Sequence, residues 1–290
     1  VLATIYVSAT FAGSITAILI NTPGTSAAAA TTFDGYPLAQ KGEAGRALGV
    51  AVISSTVGGV FSVIILCFAA PLLARVAYEF RSPEYFALTV FGLSMLASIS
   101  AGGAVKNLIG GIFGVWLSTI GAERVTGIER FMFGNYELYE GIHFVPIFIG
   151  LFAISELLVQ SKTVNKIVNT VSMKAVKLPT LEDYKKIWKT ILRSCGIGTF
   201  IGVLPAEGAT VASMIGYSEA RRWSKNKKEF GKGSIEGIAG AEAANNAATG
   251  GAMVPTMVLG IPGSGTTAII LVGLMVHGLR PGVYLFTEQV

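Results

Sequence analysis

Long runs of apolar residues alternate with short polar segments along most of the chain. Three of the runs, 47 to 73, 84 to 101 and 141 to 159, are close to the roughly 20 residues that a helix needs to cross a bilayer. The pattern therefore predicts membrane helices at these positions. We expect the first to end near Pro71, because proline breaks the hydrogen-bond ladder of a helix. A short glycine-rich segment, 107 to 121, follows the second run.

Proline and glycine interrupt two further apolar stretches. The first reads GSITAILINTPGTS at 13 to 26, and the second reads GGAMVPTMVLGIPGSG at 250 to 265. The two stretches align at Pro23 with Pro262 and at Gly24 with Gly263 when a gap of one residue is allowed upstream. Such residues leave main-chain groups without intrahelical partners. Matching broken segments in two halves of a chain are typical of a transporter with an internal repeat and a midplane substrate site.

The composition places the chain in a lipid environment. Of its 290 residues 52% are hydrophobic and 13% are charged, whereas a soluble domain is about 25% charged. The fold class expected is an all-α polytopic membrane protein, one membrane domain with on the order of eight crossings or half-crossings. The sequence begins inside an apolar run without an initiating Met, so we expect a part of a longer chain. Cys67 and Cys195 lie far apart in apolar stretches, which favours neither a disulfide nor a metal site.

The positive charges are concentrated in two blocks, at 162 to 193 and at 221 to 232. Basic segments beside apolar spans are typical of a cytoplasmic membrane face, so the basic net charge indicates no nucleic-acid partner. The segment 122 to 140 is net acidic and is expected outside. The blocks contain Lys162, Lys166, Lys174, Lys177, Lys185, Lys186, Lys189, Arg193, Arg221, Arg222, Lys225, Lys227, Lys228 and Lys232.

The apolar segment 194 to 220 joins the two basic blocks. A single crossing would place one block outside, so the positive-inside rule predicts a re-entrant hairpin with its tip at 203 to 210. A single kinked span is the alternative. The chain would then comprise a first-repeat part at 1 to 160, a basic cytoplasmic connector at 161 to 193, and a second-repeat part at 194 to 290. Residues 181 to 188 could form an amphipathic surface helix, although we favour a solvated connector.

Polar residues inside the apolar sequence are candidates for ligand binding. Ionisable and amide side chains are costly in a membrane and usually face a pathway or a partner. Amide, hydroxyl and freed main-chain oxygens suit a hard cation such as sodium, and main-chain amides at a half-helix start suit a carboxylate. For Asn245 and Asn246 the alternative is hydrogen bonding between helices. For Glu207 it is a water-exposed hairpin tip. The residues concerned are Glu207, Glu236, Glu242, Asn245 and Asn246.

Three familiar enzyme and nucleotide signatures are incomplete in this chain. GIPGSGTT at 260 to 267 has the glycine spacing of a phosphate-binding loop but carries Thr266 where the lysine should be. GIGTFIG at 196 to 202 has its last glycine one position late for a dinucleotide site. An intramembrane hydrolase would require contact between Ser264 and His277. We therefore expect no enzyme.

The chain resembles the TctA family, the large membrane subunits of the tripartite tricarboxylate transporters. Two departures are the LPAEG motif, where the family has LPGxG, and Phe11-Ala12-Gly13, where Tyr-Gly-Gly is usual. Ala206 would stiffen the hairpin tip or shift substrate preference. The resemblance rests on GSITAILINTPGTSAAAATTFDGYPLAQKGEAGRALG (13 to 49), PEYFALTVFGL (83 to 93), GLFAISELL (150 to 158), GTFIGVLPAEGATVASMIGY (198 to 217), FGKGSIEGIAGAEAANNAATGGAMVP (230 to 255) and LGIPGSGTTAIILVGLMVHGLRPG (259 to 282).

The resemblance implies a multi-pass protein of the bacterial inner membrane that imports small organic anions, of the tricarboxylate or dicarboxylate class, down a cation gradient. Its partners would be a small membrane subunit and a periplasmic solute-binding protein. No cofactor is expected apart from the coupling ion, sodium or a proton. A channel, a transporter without a binding protein, and an assembly subunit that tolerates changes at Ser264 and Thr267 remain alternatives.

Alternating access would then take place around the two broken segments, with the hairpin as the inner gate. Sodium is expected at Asn21, Asn245, Ser264 and Thr267. The candidate residues for substrate and ion binding are Ser14, Thr16, Asn21, Pro23, Gly24, Thr25, Ser26, Pro205, Gly208, Thr210, Asn245, Asn246, Pro262, Gly263, Ser264, Gly265, Thr266 and Thr267.

Overall fold

The computed structural model describes residues 1–99, 104–123, 126–143, 146–147, 149–161, 177–204, 208–282 and 285. The chain divides into two compact units. The first comprises Val1–Glu79 and Lys166–Val290, and the second comprises Phe80–Asn165.

Helices dominate both units. The α-helices are α1 (Leu2–Ile20), α2 (Ala29–Leu38), α3 (Ala44–Tyr78), α4 (Ser82–Ile99), α5 (Ala104–Ser118), α6 (Ser155–Ser161), α7 (Leu181–Val203), α8 (Gly208–Trp223), α9 (Ile235–Leu259) and α10 (Gly265–Val276). Short 3-10 turns cover Ser26–Ala28, Tyr136–Leu138 and Lys227–Glu229, and π-helical turns cover Ala39–Glu43 and Ile149–Ile154.

Helix α9 is the centre of the first unit. Almost all of its residues are buried, and alanine and glycine are frequent among them. Helices α3, α7 and α8 approach its backbone closely at Gly58, Gly198 and Gly216, where an added Cβ would overlap main-chain oxygens of α9. Small residues permit this approach, as is typical of helix contacts in membrane proteins.

Larger apolar side chains fill the space between α9 and its neighbours. One cluster joins Ile18 of α1, Val50 of α3, Ile187 and Ile191 of α7, and Ile238 of α9. A capping box between Thr180 and Asp183 begins α7. The first turns of the helix are packed on one face, where Ile187 is fully buried. The residues 181 to 188, expected in a solvated connector, form the first turns of this packed helix.

Helix α3 continues through Pro71 and ends at Tyr78, so the predicted end near Pro71 is wrong. Pro71 removes one backbone donor inside this helix but does not end it. Two segments, Leu2–Ile20 and Ser26–Tyr78, are long and apolar enough to cross a membrane among the described residues. The outer face of α3 exposes Val60, Ile64 and Phe68, as expected of side chains that face lipid.

Helices α7 and α8 form an antiparallel helical hairpin. A Cβ at Gly208 would lie 3.3 Å from the Cα of Gly202, next to the tip. At the other end, Arg193 Nη1 donates to the carbonyl oxygen of Glu219 at 3.5 Å. Both helices pack on α9. Residues 205 to 207 of the predicted tip, including Pro205, lie outside the described residues.

The second unit contains α4, α5 and α6. The predicted span at 84 to 101 corresponds to α4, and the glycine-rich segment after it forms α5, which packs on α4. The acidic segment holds a two-stranded antiparallel sheet, β1 (Gly121–Ala122) with β2 (Glu129–Arg130), in which Gly121 pairs with Arg130. The span predicted at 141 to 159 begins later, because residues 141 to 143 are not helical.

Candidate functional site

The first broken segment folds back along the helix that precedes it. Helix α1 ends at Ile20, and the next residue, Asn21, caps it with a left-handed φ of 55° and an N–H that donates to the carbonyl of Thr16. Three residues later, the N–H of Gly24 donates to the carbonyl of Gly13 at 3.1 Å. A Cβ at Gly24 would lie 2.8 Å from Thr16 Oγ1, so only glycine permits this close return.

The second broken segment resembles the first in its left-handed cap and its close return to the preceding helix, although the returning glycine donates to a side chain instead of a main-chain carbonyl. Helix α9 ends at Leu259, and the next residue, Gly260, caps it with a φ of 68° and an N–H that donates to the carbonyl of Pro255. Gly263 then returns to α9, with its N–H donating to Thr256 Oγ1 at 3.2 Å. A Cβ at Gly263 would lie 2.9 Å from the Cα of Ala252.

Four pairs of residues occupy matching positions in the two segments, and the two members of every pair are the same number of residues apart along the chain. They are Asn21 with Gly260, Thr16 with Pro255, Gly24 with Gly263, and Gly13 with Ala252. The aligned residues Pro23 and Pro262 lie within the turns. The break in the second segment begins only after α9, which runs uninterrupted through Pro255.

The two segments continue differently after the turn. Ser264 caps α10 through a capping box, in which its Oγ accepts from the N–H of Thr267 at 3.2 Å. Gly265 and Thr266 form the first turn of α10. Ser264 Oγ also lies 3.3 Å from Tyr6 Oη. Position Ser26, after the first turn, instead begins a short 3-10 helix.

The first broken segment meets the helical hairpin. Ser26 Oγ and Thr210 Oγ1 are 2.9 Å apart, which joins the segment to α8 near its start at Gly208. Thr25 Oγ1 is buried without a hydrogen-bond partner in the described part of the chain. Thr16 Oγ1 donates to the carbonyl of Gly13 at 3.2 Å. The predicted residues of this segment and of α8 therefore lie together.

A buried carboxylate lies at the middle of α9. Glu242 has no exposed surface. Its Oε2 accepts hydrogen bonds from Ser14 Oγ of α1 at 2.7 Å and from Ser55 Oγ of α3 at 2.8 Å. Its Oε1 accepts from Thr31 Oγ1 of α2. Helices α1, α2 and α3 thus each bring one hydroxyl to the same carboxylate.

The two asparagines lie one turn further along α9 and are fully buried. Asn246 Nδ2 donates to Asn245 Oδ1 at 2.5 Å and to the carbonyl of Glu242 at 3.2 Å. Asn245 Nδ2 and Asn246 Oδ1 form no hydrogen bond of normal distance and angle among the described residues, although the Asn245 amide also interacts with the carboxylate of Glu242. An unsatisfied buried polar group costs about 1–3 kcal/mol. A donor and an acceptor are therefore available to a ligand or ion.

A second buried carboxylate holds the start of α9. Asp34 of α2 accepts, through Oδ1, the N–H groups of Lys232, Gly233 and Ser234 at 3.0, 2.8 and 2.8 Å. A carboxylate at a helix start is stabilised by these free N–H groups and by the helix dipole. Asp34 therefore ties the helix after the first broken segment to the helix before the second.

Sequence reasoning missed part of these clusters. Ser14 is a predicted site residue and Glu242 is conspicuous in apolar sequence, but Thr31, Asp34 and Ser55 were not identified. The signals were weak: a Thr and an Asp in the polar stretch after the first broken segment, and a Ser-Ser pair in a long apolar run. Such residues acquire a role only when the fold brings distant helices together.

The predicted sodium ligands do not form one cluster through hydrogen bonds. Within the described residues, only Ser264 and Thr267 of the four bond to one another. Asn21 is exposed at the end of α1, whereas Asn245 is buried in α9. A separate apolar cavity of about 540 Å³, lined by Tyr6, Met253 and Ile270 among others, contains none of the predicted site residues.

The contact that a hydrolase would need is not formed. Ser264 Oγ contacts Tyr6 and Thr267, while His277 Nδ1 lies 2.8 Å from the carbonyl oxygen of Gly273 in the last turn of α10. Among the described residues, no hydrogen bond joins Ser264 to His277. Nucleophilic catalysis by a Ser-His pair therefore has no geometric support here.

At the start of α7, Asp183 forms an ion pair with Arg46 of α3. Arg46 Nε and Nη2 donate to the two carboxylate oxygens of Asp183, at 3.0 and 2.5 Å. These hydrogen bonds are the main cause that lowers the pKa of Asp183 below its ordinary value, although partial burial opposes them. The pair joins the N-terminal ends of α3 and α7.

Comparison with known proteins gives a match along the whole chain. The model of the "Tripartite tricarboxylate transporter TctA family" matches residues 1–290. An uncharacterized 52.8 kDa protein in the TAR-I ttuC' 3'region of Agrobacterium vitis is 42% identical over 287 residues, which are 98% of this chain and 57% of that protein. An uncharacterized protein in the TAR-II ttuC' 3'region of the same organism is 44% identical over 92 residues, 32% of this chain and 38% of that protein. The chain thus spans little more than half the length of the first relative. No solved structure matches.

Proposed function

This chain belongs to the tripartite tricarboxylate transporter TctA family, and we propose that it is part of the large permease subunit of a binding-protein-dependent secondary transporter. The transporter imports small organic anions of the tricarboxylate or dicarboxylate class across the bacterial inner membrane. A cation gradient drives the uptake. The other two components are a small membrane subunit and a periplasmic solute-binding protein, in keeping with the word tripartite in the family name.

The observation that carries this proposal is the polar cluster on the buried helix α9. Glu242, Asn245 and Asn246 have no exposed surface, yet a donor and an acceptor of the asparagines form no hydrogen bond of normal distance and angle among the described residues. Polar groups of this kind are retained inside apolar protein at a cost, which favours a role in binding. A bond from Ser14 connects the cluster to α1, the helix that ends at the first broken segment.

The substrate carboxylates bind at the two broken segments. The start of α10 presents N–H groups together with the hydroxyl groups of Ser264 and Thr266, and helix starts favour anions. The similar backbone geometry at the first segment supports an internal repeat, whose two copies face one midplane site.

The α7–α8 hairpin gates this site from the cytoplasmic side. Its contact with the first broken segment, through Ser26 and Thr210, supports this role. In this proposal the hairpin is re-entrant, because the positive-inside rule places both flanking basic blocks in the cytoplasm. Alternating access then requires the hairpin to separate from the segment.

The first experiment measures uptake of radiolabelled citrate into proteoliposomes that contain the full-length permease, its small subunit and its binding protein. Uptake is compared with and without an inward sodium gradient, and with and without an inward proton gradient. We expect accumulation above the external concentration under at least one gradient. Equilibration without accumulation would indicate a channel. If citrate gives no flux, ligands of the purified binding protein identify the anion to be tested, and failure with those anions rejects the proposal.

Replacement of the asparagines tests the site itself. Asn245→Leu and Asn246→Leu should abolish transport at unchanged expression, because leucine offers neither the donor nor the acceptor. The control is Thr56→Val on α3, since Thr56 is exposed and donates only to Val52 of its own helix. Unchanged uptake by both asparagine variants would show that these residues of α9 do not take part in the transport site.

A further inference from the structure

The carboxylate of Glu242 has no positively charged partner among the described residues. Its hydrogen-bond donors Ser14, Thr31 and Ser55 are neutral, as is the neighbouring amide of Asn245. None of the ion pairs formed within the described part of the chain includes Glu242. Other titratable groups face α9 from the helices around it. Asp34 of α2 and Tyr217 of α8 lie against Gly237, Cys195 of α7 packs in the cluster around Ala243, and Glu236 of α9 itself accepts from Ser224. None of these four groups is a cation.

An isolated negative charge at this place is unstable. The effective penalty for burying an ion in a protein is several kcal/mol, and hydroxyl donors reduce it without balancing the charge. Glu242 has no exposed surface through which water could compensate. One positive charge is therefore missing from the described surroundings of Glu242.

The chemistry of the cluster selects the kind of cation. Divalent ions such as calcium take six to eight oxygen ligands, commonly including several carboxylates, whereas this cluster has one carboxylate and several hydroxyl oxygens. On α9 and α3, the buried polar atoms of the described residues that have no hydrogen-bond partner are uncharged, namely Asn245 Nδ2, Asn246 Oδ1 and Ser54 Oγ. A single charge surrounded by neutral oxygens fits a monovalent hard cation or a proton.

The position of the cluster connects it to the first broken segment. Ser14 lies on α1, before the break at residues 21 to 25, and Thr31 lies on α2, after it. Both hydroxyls donate to Glu242. A change in the charge of this carboxylate therefore acts on both flanks of the segment at once.

We propose that Glu242 binds the coupling cation, either a sodium ion or a proton, and that its charge state sets the position of the first broken segment through Ser14 and Thr31. The proposal rests on the proposed transport function and adds to it the residue that carries the coupling charge. The predicted sodium ligands did not include Glu242. Ser55 completes the hydroxyl set from α3.

Glu242→Gln tests the assignment in the full three-component transporter. Glutamine keeps the shape of the side chain and removes the charge, so it mimics the neutralised state. We expect it to lose accumulation driven by a sodium or proton gradient and to retain counterflow, which exchanges labelled for unlabelled anion without net ion movement. Glu236→Gln is the matched control, because it makes the same change at another buried glutamate of α9. The structure removes Glu236 from the candidate binding residues, since it lies in the first turn of α9 and accepts from Ser224 rather than from the donors of Glu242, so this variant should retain both activities.

A binding measurement separates this proposal from the transport function. The thermal unfolding midpoint of the purified wild-type permease should rise with added sodium chloride, compared with choline chloride, or with falling pH. The first result identifies sodium and the second identifies a proton. Glu242→Gln should lose that dependence, whereas Glu236→Gln should keep it. The proposal is overturned if the wild type shows neither dependence, or if the dependence that it shows persists in Glu242→Gln, even if the transporter accumulates anions.

A milder variant is informative if Glu242→Gln does not fold. Ser55→Ala keeps the carboxylate and removes one of its hydroxyl partners. If the ion is sodium, we expect Ser55→Ala to need a higher sodium concentration to reach half of the rise in unfolding midpoint. If it is a proton, the midpoint of the pH effect should move to higher pH, because the carboxylate loses a donor. An unchanged sodium or pH response would contradict the role of this cluster. If the wild type binds the ion but accumulates no anion, the transport function fails and the ion site stands.

Discussion

Gly198 of α7 has no side chain, and the backbone of α9 packs directly against it. A Cβ there would overlap the carbonyl oxygen of Ala244, which is backbone and cannot rotate away. Gly198→Ala should therefore destabilise the protein by about 1–3 kcal/mol, the usual cost of overpacking. The measurement is thermal or denaturant unfolding of the purified protein in detergent.

Gly196, two residues earlier on α7, provides the control. An added Cβ at Gly196 meets nothing within 4 Å. Gly196→Ala should leave the stability unchanged or slightly increased, because alanine favours a helix over glycine. Equal effects of the two substitutions would show that α7 does not pack on α9 at this face.

The carboxylate of Asp34 gives a second prediction for a single residue. Asp34→Ala leaves the N–H groups of Lys232, Gly233 and Ser234 without their acceptor. Of these three residues only Ser234 is buried, so we expect a cost of about 1–3 kcal/mol for its N–H and less for the other two, which water can reach. Asp34→Asn keeps an acceptor and loses only the charge at the helix start, so it should cost less. Unfolding midpoints of the two variants check this order, and a reversed order would contradict the assigned contact.

The sequence identified polar residues better than it identified their partners. Ser14 and Glu242 are both conspicuous in apolar sequence, but 228 positions separate them along the chain. Their contact depends on how α1 packs on α9, which no local pattern encodes. Thr31 and Ser55 are ordinary residues in sequence, and only the fold gives them a shared acceptor. The broken segments, in contrast, were visible because Pro and Gly impose their geometry locally.

At the level of helices, α7 and α3 are joined at their N-terminal ends by the ion pair of Asp183 with Arg46. Because the pair lowers the pKa of Asp183 in the folded protein, its stabilising contribution is fully present above the unfolded value, about pH 4. The contribution is lost as the pH falls through the lower, folded value. Asp183→Asn should therefore weaken the decrease of the unfolding midpoint below about pH 4.

Glu219 is the control for this pH effect. Its pKa is also lowered, mainly by Arg222, but the group is exposed to solvent. Solvent screens exposed ion pairs, so Glu219→Gln should change the acid unfolding profile little. The profiles of the two variants and the wild type are compared in the same detergent. A profile of Asp183→Asn that matches the wild type would show that the pair adds no acid-sensitive stability.

Long apolar runs in the sequence predicted the presence of helices, but they predicted the positions of the helix ends less accurately. Helix α3 passes Pro71, because one lost hydrogen bond does not terminate a helix that is otherwise well formed. The start of α7 was expected to be solvated from its charges, yet Ile187 and Ile191 pack into the core. The charged residues of such a helix predict that one face is exposed to solvent. Whether the other face is buried depends on which helices pack against it in the fold.

For the whole molecule, the proposed transport cycle requires that α8 and the first broken segment separate. Ser26 and Thr210, which lie 184 positions apart along the chain, join them through hydroxyl oxygens 2.9 Å apart. Replacement of both residues by cysteine brings two thiols to nearly the same positions, close to the geometry that a disulfide needs. Ser26→Cys with Thr210→Cys should therefore form a crosslink under mild oxidation.

The crosslink should stop uptake by the full transporter, and reduction should restore it, because the gate is then locked to the segment and released again. Each single cysteine variant, treated with the same oxidant, controls for reactions at the native Cys67, which is exposed. Gel mobility after proteolysis between the two positions measures the extent of crosslinking. Full uptake by a completely crosslinked protein would mean that this contact persists through the cycle, and the moving gate would then have to be sought in another element.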